Sequence, residues 1–184
     1  MARDPNRVCP VELAGGLESR IRRWLQDPRR IVAPFVREGM RVLEPGCGPG
    51  FFTLELADLV GPTGRVFATD LQEGMLALLR DRVRGTPLEP RITLVKSETD
   101  RVGATEPVDF ALAFYMVHEV PDQAGFFRQV RGVLKPGGKL LLVEPKLFHV
   151  SKEAWARTLG TAASCGFAAA AGPKLGFSWS AVLS

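Results

Sequence analysis

The stretch that most constrains this chain is residues 42–52, where an apolar run ends on an acid and glycines follow at alternate positions. The acid is Glu44, the glycines are Gly46, Gly48 and Gly50, and an amphipathic segment begins directly afterwards. Glycine tolerates positive φ and exposes bare backbone, and the helix that follows directs its N–H groups and positive dipole end at the same place. The stretch therefore predicts a strand, a tight turn and a helix that together bind a carboxylate or a phosphate.

The glycine spacing distinguishes two classes of ligand. A dinucleotide-binding fingerprint is GxGxxG, whose third glycine allows close packing of the helix against the strand. Gly46 and Gly48 match this fingerprint, but Phe51 occupies the third position, and the third glycine comes one residue earlier at Gly50. The pattern is therefore GxGxG after an acid, and other parts of the sequence are needed to identify the class of ligand.

The bulk composition indicates one globular domain. The chain has 184 residues, 46% of them apolar and 24% charged, which is ordinary for a domain with a substantial core. No uninterrupted apolar run is long enough to span a membrane, and the first residues lack the apolar region of a signal peptide. The cysteines, Cys9, Cys47 and Cys165, have no metal-ligand spacing, so we expect reduced thiols, no metal and a cytoplasmic location.

The net charge of +4 is confined to the N-terminal segment. Residues 1–41 contain nine Lys or Arg against five Asp or Glu, whereas the remainder contains 15 of each. A solvated helix face is one explanation, and a patch that attracts an anionic substrate is another. A nucleic-acid partner is disfavoured because no stripe interleaves aromatic and basic residues.

Strand and helix patterns alternate along the chain. They predict strands at residues 40–43, 65–69, 91–95, 108–114 and 139–143, and helices at residues 52–60, 75–83, 123–134 and 151–164, with a turn at residues 135–138. This alternation predicts a parallel sheet covered on both faces. Residues 168–171 and 177–183 predict a final hairpin that adds an antiparallel strand. The predicted fold class is α/β, a doubly wound, seven-stranded, mostly parallel Rossmann-like sheet.

Two helices are predicted ahead of the first strand. Residues 17–25 carry a helical apolar stripe with arginines between, and Asp27-Pro28 predicts the start of a second helix that Gly39 ends. We expect residues 1–39 to form a helical lid over a core of residues 40–184, with the whole chain, residues 1–184, as one domain.

The chain resembles the class I S-adenosylmethionine-dependent methyltransferases, and within them small UbiE-like proteins of the methyltransferase domain 11/25 type. The resemblance covers residues 40–184 and is carried by residues 43–50, residues 115–122 (YMVHEVPD) and residues 134–143 (LKPGGKLLLV). It implies the seven-stranded fold of that class. It also implies S-adenosylmethionine as the cofactor and in-line methyl transfer to a small-molecule acceptor, for which an anion is one option.

The same resemblance implies a set of cofactor-binding positions. Glu44 is expected to hold the methionine amino group, Asp70 to accept hydrogen bonds from both ribose hydroxyls, and Glu98 to accept from the adenine amino group. The full implied set is Glu44, Gly46, Cys47, Gly48, Asp70, Leu71, Met75, Glu98, Thr99, Phe114 and Tyr115. Core packing is the alternative for Leu71 and Met75, and satisfaction of the turn's N–H donors is the alternative for Glu44.

The predicted acceptor side offers two catalytic candidates, His118 and Glu144. A general base is needed only where the acceptor nucleophile carries a proton. His118 follows the fourth strand, and imidazole is suited to that role near neutral pH, while Glu144 ends the fifth strand. A histidine that bonds the backbone and shapes the loop is the alternative for His118. Arg7, Cys9, Arg22 and Trp24 are further candidates for lining the acceptor site.

Three other functions are open at the level of the sequence. A regulatory module that binds S-adenosylmethionine without turnover fits the short predicted lid. A methyltransferase acting on protein or RNA fits the basic N-terminal segment. An NAD-linked enzyme is disfavoured by Phe51 and by the terminal hairpin.

Overall fold

Seven strands form one sheet, as the alternating pattern predicts. The structure is a computed structural model that describes residues 26–98, 101–104, 106–146 and 149–184. The strands are β1 (Arg41–Pro45), β2 (Arg65–Asp70), β3 (Ile92–Lys96), β4 (Val108–Phe114), β5 (Leu134–Pro145), β6 (Ala169–Ala171) and β7 (Ser178–Leu183). The helices are α1 (Pro28–Val32), α2 (Thr53–Val60), α3 (Glu73–Val83), α4 (Gln123–Val133) and α5 (Lys152–Ser164). The predicted α/β class is confirmed.

The order of the strands is β3-β2-β1-β4-β5-β7-β6. The first five strands in this order pair in parallel, whereas β7 pairs antiparallel with both β5 and β6, which confirms the predicted final hairpin. The chain order reverses between β1 and β4. In open α/β sheets, ligands bind beyond the carboxyl ends of the strands at such a switch point, so the topology directs attention to the residues that follow β1 and β4.

Alternate residues of the strands pack against helices on opposite faces. In β1, Leu43 joins a cluster that contains α4 and α5 residues such as Phe127 and Trp155. Val42 joins a cluster that contains residues of α1 and α2, such as Leu56, and residues of α3 pack around Ala68. Both faces of the sheet are therefore covered, which explains why the strands read as nearly continuous apolar runs.

Two boundaries differ from the predicted ones by more than two residues. Helix α1 ends at Val32 rather than near Gly39, because Pro34 lacks the N–H that would continue the helical hydrogen bonds, even though Ala33 still has helical dihedral angles, φ −56° and ψ −31°. The predicted turn at residues 135–138 lies inside β5, where Gly137 has φ +79° and the pairing with β4 shifts register. The glycines thus form an irregularity within a strand instead of a separate turn.

The first predicted lid helix, at residues 17–25, lies outside the described residues, as do Arg7, Cys9, Arg22 and Trp24. Within the described ranges, each helix is too short or too polar to cross a membrane.

Candidate active site

The glycine turn joins β1 to α2, and each of its three glycines has positive φ: +69° at Gly46, +54° at Gly48 and +101° at Gly50. A Cβ on Gly46 would lie 3.1 Å from Cβ of Met116, and one on Gly50 would lie 2.5 Å from Cδ1 of Leu79. A Cβ on Gly48 would have no described atom within 4 Å. Packing therefore requires Gly46 and Gly50, whereas the backbone of Gly48 borders open space.

Asp70 holds the glycine turn against the end of β2. Its two carboxylate oxygens accept from the N–H groups of Gly48 and Gln72, each at 2.9 Å, and the N–H of Cys47 donates to the carbonyl of Thr69 at 3.0 Å. Burial raises the pKa of Asp70 above its ordinary value, although hydrogen bonds from the backbone N–H groups of Gln72, Gly48 and Leu71 act in the opposite direction. A carboxylate has about four acceptor positions, so that of Asp70 can still accept from a ligand hydroxyl.

Glu44 is a buried acid at the end of β1, only 4% exposed. Its Oε2 accepts from the hydroxyl of Thr53 at 2.6 Å. Burial raises the pKa of Glu44 to about 8, a shift that the Thr53 hydrogen bond reduces and the nearby Asp70 increases. A cation placed beside Glu44 would favour its ionised form, so the site is suited to a positively charged ligand group.

A cavity opens beyond the carboxyl ends of β1, β2 and β4, and we call it the switch-point cavity. Ten of the eleven predicted cofactor residues line it, and the eleventh, Thr99, lies outside the described residues. Those that line it are Glu44, Gly46, Cys47, Gly48, Asp70, Leu71, Met75, Glu98, Phe114 and Tyr115. The structure thus brings together residues spread over more than 70 positions of the sequence, while their roles toward a cofactor stay predictions.

Leu71 and Met75 differ in burial although both line the cavity. Leu71 is 39% exposed, whereas Met75 is 2% exposed and belongs to the core. Core packing and cavity lining are therefore compatible for Met75. Leu71 presents apolar surface to solvent at the cavity, which is the arrangement expected of a side chain that packs on a planar ligand.

Aromatic side chains form the wall of the cavity between α2 and β4. The rings of Phe52 and Phe114 have centroids 4.3 Å apart, and those of Phe114 and Tyr115 are 4.4 Å apart. Tyr115 is the one non-glycine residue of the described chain with positive φ, at 59°. Its N–H donates to Val143 at 2.8 Å, and its hydroxyl bonds Gln26 Nε2 and Ser178 Oγ, each at 2.5 Å. A strained backbone fixed by such contacts is typical of functional sites.

Glu144 and His118 form a pair beside this cavity. His118 Nδ1 lies 2.5 Å from Oε2 of Glu144, whose Oε1 accepts from the N–H groups of Val117 at 2.8 Å and His118 at 3.3 Å. Glu144 is only 1% exposed, and its oxygens are engaged with the short 3₁₀ helix Val117–Glu119. Neither His118 nor Glu144 lines the switch-point cavity, but Met116 and Glu119 on either side of His118 do. The carboxylate of Glu144 therefore holds both the imidazole of His118 and the start of the 3₁₀ helix in place.

Several residues that line the switch-point cavity are not predicted from the sequence. Thr69 is fully buried, and within the described ranges its Oγ1 is the one buried side-chain polar atom without a hydrogen-bond partner. The only sequence feature that points to Thr69 as a site residue is its position next to Asp70. Gln129 lines the cavity from α4 and accepts from the N–H of Val102 at 2.8 Å. No local pattern marks Gln129, because only the packing of α4 brings it to the site.

The described residues contain no cluster of His, Cys, Asp and Glu side chains that could hold a metal ion. The buried polar groups that line the switch-point cavity are instead the hydroxyl of Thr69, the acids Glu44 and Asp70, and glycine backbone, while Glu98, Arg101 and Glu119 line it as more exposed charged groups. A polar organic ligand fits this set of groups.

Comparisons with known proteins agree with that geometry. The profile of a family described as "Methyltransferase domain" matches residues 42–138, more than half of the chain. A demethylmenaquinone methyltransferase of Bacillus cytotoxicus is 29% identical over 121 residues, 66% of this chain and 50% of that protein. The ubiquinone/menaquinone biosynthesis C-methyltransferase UbiE of Pseudomonas fluorescens is 33% identical over 110 residues, 59% of this chain and 43% of that protein.

Among solved structures, a SAM-dependent methyltransferase from Aquifex aeolicus superimposes with a TM-score of 0.81 at 26% identity. The alignment covers 99% of this chain and 98% of that one. The chain spans about half the length of the curated relatives that it matches, yet it matches this solved chain from end to end.

Proposed function

The chain belongs to the methyltransferase-domain family of class I S-adenosylmethionine-dependent enzymes, as its sequence predicts, and from this we propose that it transfers the methyl group of S-adenosylmethionine to a small-molecule acceptor. The observation that carries the proposal is the switch-point cavity, where the family's glycine turn meets two buried acids, Glu44 and Asp70. When bound, S-adenosylmethionine supplies a methyl group already activated on a sulfonium. The chain's own residues have to bind the donor, align the acceptor and exclude water.

The residues of the switch-point cavity fit the proposed cofactor. The orphaned hydroxyl of Thr69 and the open space beside Gly48 leave a polar group and a volume for a ligand to satisfy. We assign Asp70 to the ribose hydroxyls and Glu44 to the cationic amino group of the methionine moiety. The raised pKa of Glu44 supports that assignment, because a buried carboxyl is stabilised in its ionised form by a cation beside it.

We assign the aromatic wall to the exclusion of water from the reacting atoms. Phe52 and Phe114 are 3% and 9% exposed, and Tyr115 is held by hydrogen bonds at both its backbone and its hydroxyl. A rigid apolar wall lowers the local dielectric, which strengthens the electrostatic interactions of the neighbouring acids.

We propose His118 as the general base for an acceptor that carries a proton. The Glu144 carboxylate accepts from Nδ1–H, which fixes the tautomer and makes Nε2 the basic nitrogen. Glu144 is then a positioning residue, because both of its oxygens are engaged with the 3₁₀ helix. This pairing also favours turnover over a binding module, which has no use for an oriented base.

The names of two curated relatives support a small-molecule acceptor, since both are quinone-pathway methyltransferases by name. All seven strands lie within residues 41–183, in keeping with the proposed division into a core of residues 40–184 and a lid built from the preceding residues. Helix α1, the described part of that preceding segment, packs on the core: Ile31 and Val32 are buried with residues of α2, and Arg29 pairs with Asp58 and Glu55 of α2.

The direct test is calorimetric titration with S-adenosylmethionine, followed by a screen of a metabolite extract for formation of S-adenosylhomocysteine. We expect binding below millimolar concentration and turnover with at least one extract fraction. Absence of binding by the wild-type protein would refute the assignment of the cofactor. Binding without product from any fraction would favour the regulatory module.

The matched variants are Asp70→Ala and Asp70→Asn, with the exposed Asp81→Ala as the control. Loss of two hydrogen bonds to a carboxylate should weaken S-adenosylmethionine about 100-fold in the alanine variant, whereas Asp81→Ala should leave the dissociation constant unchanged. The asparagine variant keeps an acceptor for one backbone N–H, so it tests the ribose assignment even if the alanine variant is unstable. Wild-type affinity in both Asp70 variants would remove that assignment.

A further inference from the structure

A second cavity, of about 380 Å³, lies at the carboxyl end of β5 beside β7. Its described lining consists of two lysines, two tryptophans, two serines and the loop between β6 and β7: Lys146, Trp155, Gly172, Pro173, Lys174, Leu175, Gly176, Ser178, Trp179 and Ser180. We call it the Lys146 cavity. Its residues take no part in the cofactor site proposed above.

The charge of the Lys146 cavity is uniformly positive. Lys146 and Lys174 are its charged lining residues, no described acid lines it, and neither lysine forms an ion pair with a described residue. The Lys146 ammonium lies over the ring of Trp179, 4.6 Å from its centroid, and this cation–π contact fixes the charge in place. A fixed cation with a second cation nearby and no counter-charge is suited to an anionic ligand.

The remaining walls are apolar or already hydrogen-bonded. The rings of Trp155 and Trp179 are nearly parallel, at 13° with centroids 6.4 Å apart, and the indole N–H of Trp179 donates to the carbonyl of Val150 at 3.0 Å. The hydroxyl of Ser180 donates to the carbonyl of Pro173 at 2.6 Å. The two tryptophans therefore offer carbon surface beside the lysines, which suits an anion that carries an apolar body.

One hydrogen bond connects the Lys146 cavity to the switch-point cavity. Ser178, which lines the Lys146 cavity, bonds through Oγ to the hydroxyl of Tyr115 at 2.5 Å, and Tyr115 lines the switch-point cavity. A ligand anchored at Lys146 is thus separated from the cofactor site by one pair of side chains.

On these grounds we propose that the Lys146 cavity binds the anionic group of the methyl acceptor, which is then a small organic anion with an aromatic or other apolar body. This proposal rests on the methyltransferase function proposed above. Lys146 and Lys174 provide the charge, the tryptophans and the loop provide the apolar contact, and the body of the acceptor would extend past the Ser178–Tyr115 pair toward the switch-point cavity.

The test uses 2-naphthoate as the probe and the neutral 2-naphthamide as its matched control. Binding to the 184-residue chain saturated with S-adenosylhomocysteine is measured by calorimetry and by quenching of tryptophan fluorescence. We expect naphthoate to bind at least about tenfold more tightly than the amide, because it forms charge-assisted contacts with two lysines. Equal affinity for the acid and the amide would overturn the proposal.

Three lysine variants locate the probe. Lys146→Met and Lys174→Met should each raise the dissociation constant of naphthoate about tenfold, whereas Lys139→Met, on an exposed residue nearer the start of β5, should not change it. All three should keep wild-type affinity for S-adenosylmethionine, which shows that they are folded. Unchanged naphthoate affinity in both cavity variants would refute the site.

The cofactor titrations separate this proposal from the one it rests on. Displacement of naphthoate by S-adenosylhomocysteine would mean that the probe occupies the switch-point cavity, and would overturn the proposal while leaving the cofactor assignment intact. Failure of the wild-type protein to bind S-adenosylmethionine would instead refute the methyltransferase function, and the acceptor role of the Lys146 cavity with it.

Discussion

The switch-point cavity and the Lys146 cavity lie at the same end of the sheet but are built differently. The first consists of backbone and buried acids that follow β1 and β2, with Gly48 and Asp70 hydrogen-bonded across the two strand ends. The second consists of side chains and a loop that surround an antiparallel strand, and its charged groups are two lysines. One cavity has buried acids in its interior, and the other has lysines in its lining.

This difference indicates which parts of the fold can determine ligand specificity. A cavity made by consecutive parallel strand–turn–helix units depends on local backbone geometry, so it suits one invariable ligand. A cavity that depends on the pairing of β5 with β7 and on the loop before β7 can change with every side chain on that loop. We infer that the first cavity fixes the donor and that the second selects the acceptor.

The largest expected effect tests the catalytic side of this comparison. With the acceptor found in the extract screen, His118→Ala should lower the rate of S-adenosylhomocysteine formation by about 10²–10⁴, the usual contribution of a general base. The dissociation constant of S-adenosylmethionine should not change, because His118 does not line the switch-point cavity. His149→Ala is the matched control, since its exposed ring contacts that of His118 edge-on.

Glu144→Gln refines the same test. It should shift the pH dependence of the rate, because the amide orients the ring without the negative charge that stabilises a protonated imidazole. A wild-type rate for His118→Ala would show that the acceptor needs no base, and a wild-type pH profile for Glu144→Gln would remove its positioning role.

The pH dependence of the protein's stability tests the account of the switch-point cavity, to which we assign the methyl donor. The pKa of Glu44 is raised from 4.5 in the unfolded chain to about 8 in the fold, so its contribution to stability is complete below pH 4.5 and is lost as the pH rises through 8. The free energy of unfolding, from urea titrations, should therefore decrease toward pH 8 with a slope of up to ~1.4 kcal/mol per pH unit. Asp70 contributes with the same sign, because its pKa is also raised.

Glu44→Gln should flatten this slope, and the exposed Glu38→Gln should reproduce the wild-type curve. The affinity of the Glu44 variant for 2-naphthoate should be unchanged, since Glu44 does not line the Lys146 cavity. An unaltered slope in Glu44→Gln would contradict the buried-acid account of the switch-point cavity.

The smallest effect is expected for alanine substitutions at two glycines with similar backbone conformations. Gly48 and Gly85 have φ of +54° and +70°, and a Cβ on either would meet no described atom within 4 Å. Alanine at either position should therefore cost about 1–2 kcal/mol of stability through left-handed strain alone. Only Gly48→Ala should also weaken S-adenosylmethionine, because only that Cβ would enter the switch-point cavity. Equal cofactor affinity in the two variants would indicate that Gly48 does not face the ligand.

Local patterns account for most of the fold and for much of the switch-point cavity. The run of strand, alternate glycines, helix and acid lies within 29 residues, and family resemblance extends it to Phe114 and Tyr115. Residues paired over long distances could not be predicted in the same way. The partners Glu144 and His118 are separated by 26 positions, and each was predicted as a candidate without its connection to the other.

The Lys146 cavity shows the same limit more clearly. Lys146 and Trp179 are 33 positions apart, and only the antiparallel pairing of β5 with β7 brings them together. The sequence does contain a signal for the early end of α1, because Pro34 closely follows it. It contains no such signal for the early start of β5, because Gly137 and Gly138 predict a turn whether or not a strand continues through them.

The position of β7 has a consequence for biosynthesis. It is the last of the seven strands in chain order, yet it lies between β5 and β6 in the sheet. While the protein is being synthesised, the hydrogen-bonding groups on one side of residues 140–143 therefore have no partner until residues 178–183 have left the ribosome, although the side chains there are fully apolar. Such a strand is a template for pairing with another chain. The antiparallel side of the sheet is thus completed last, and the edge of β5 is open to pairing with other chains until then.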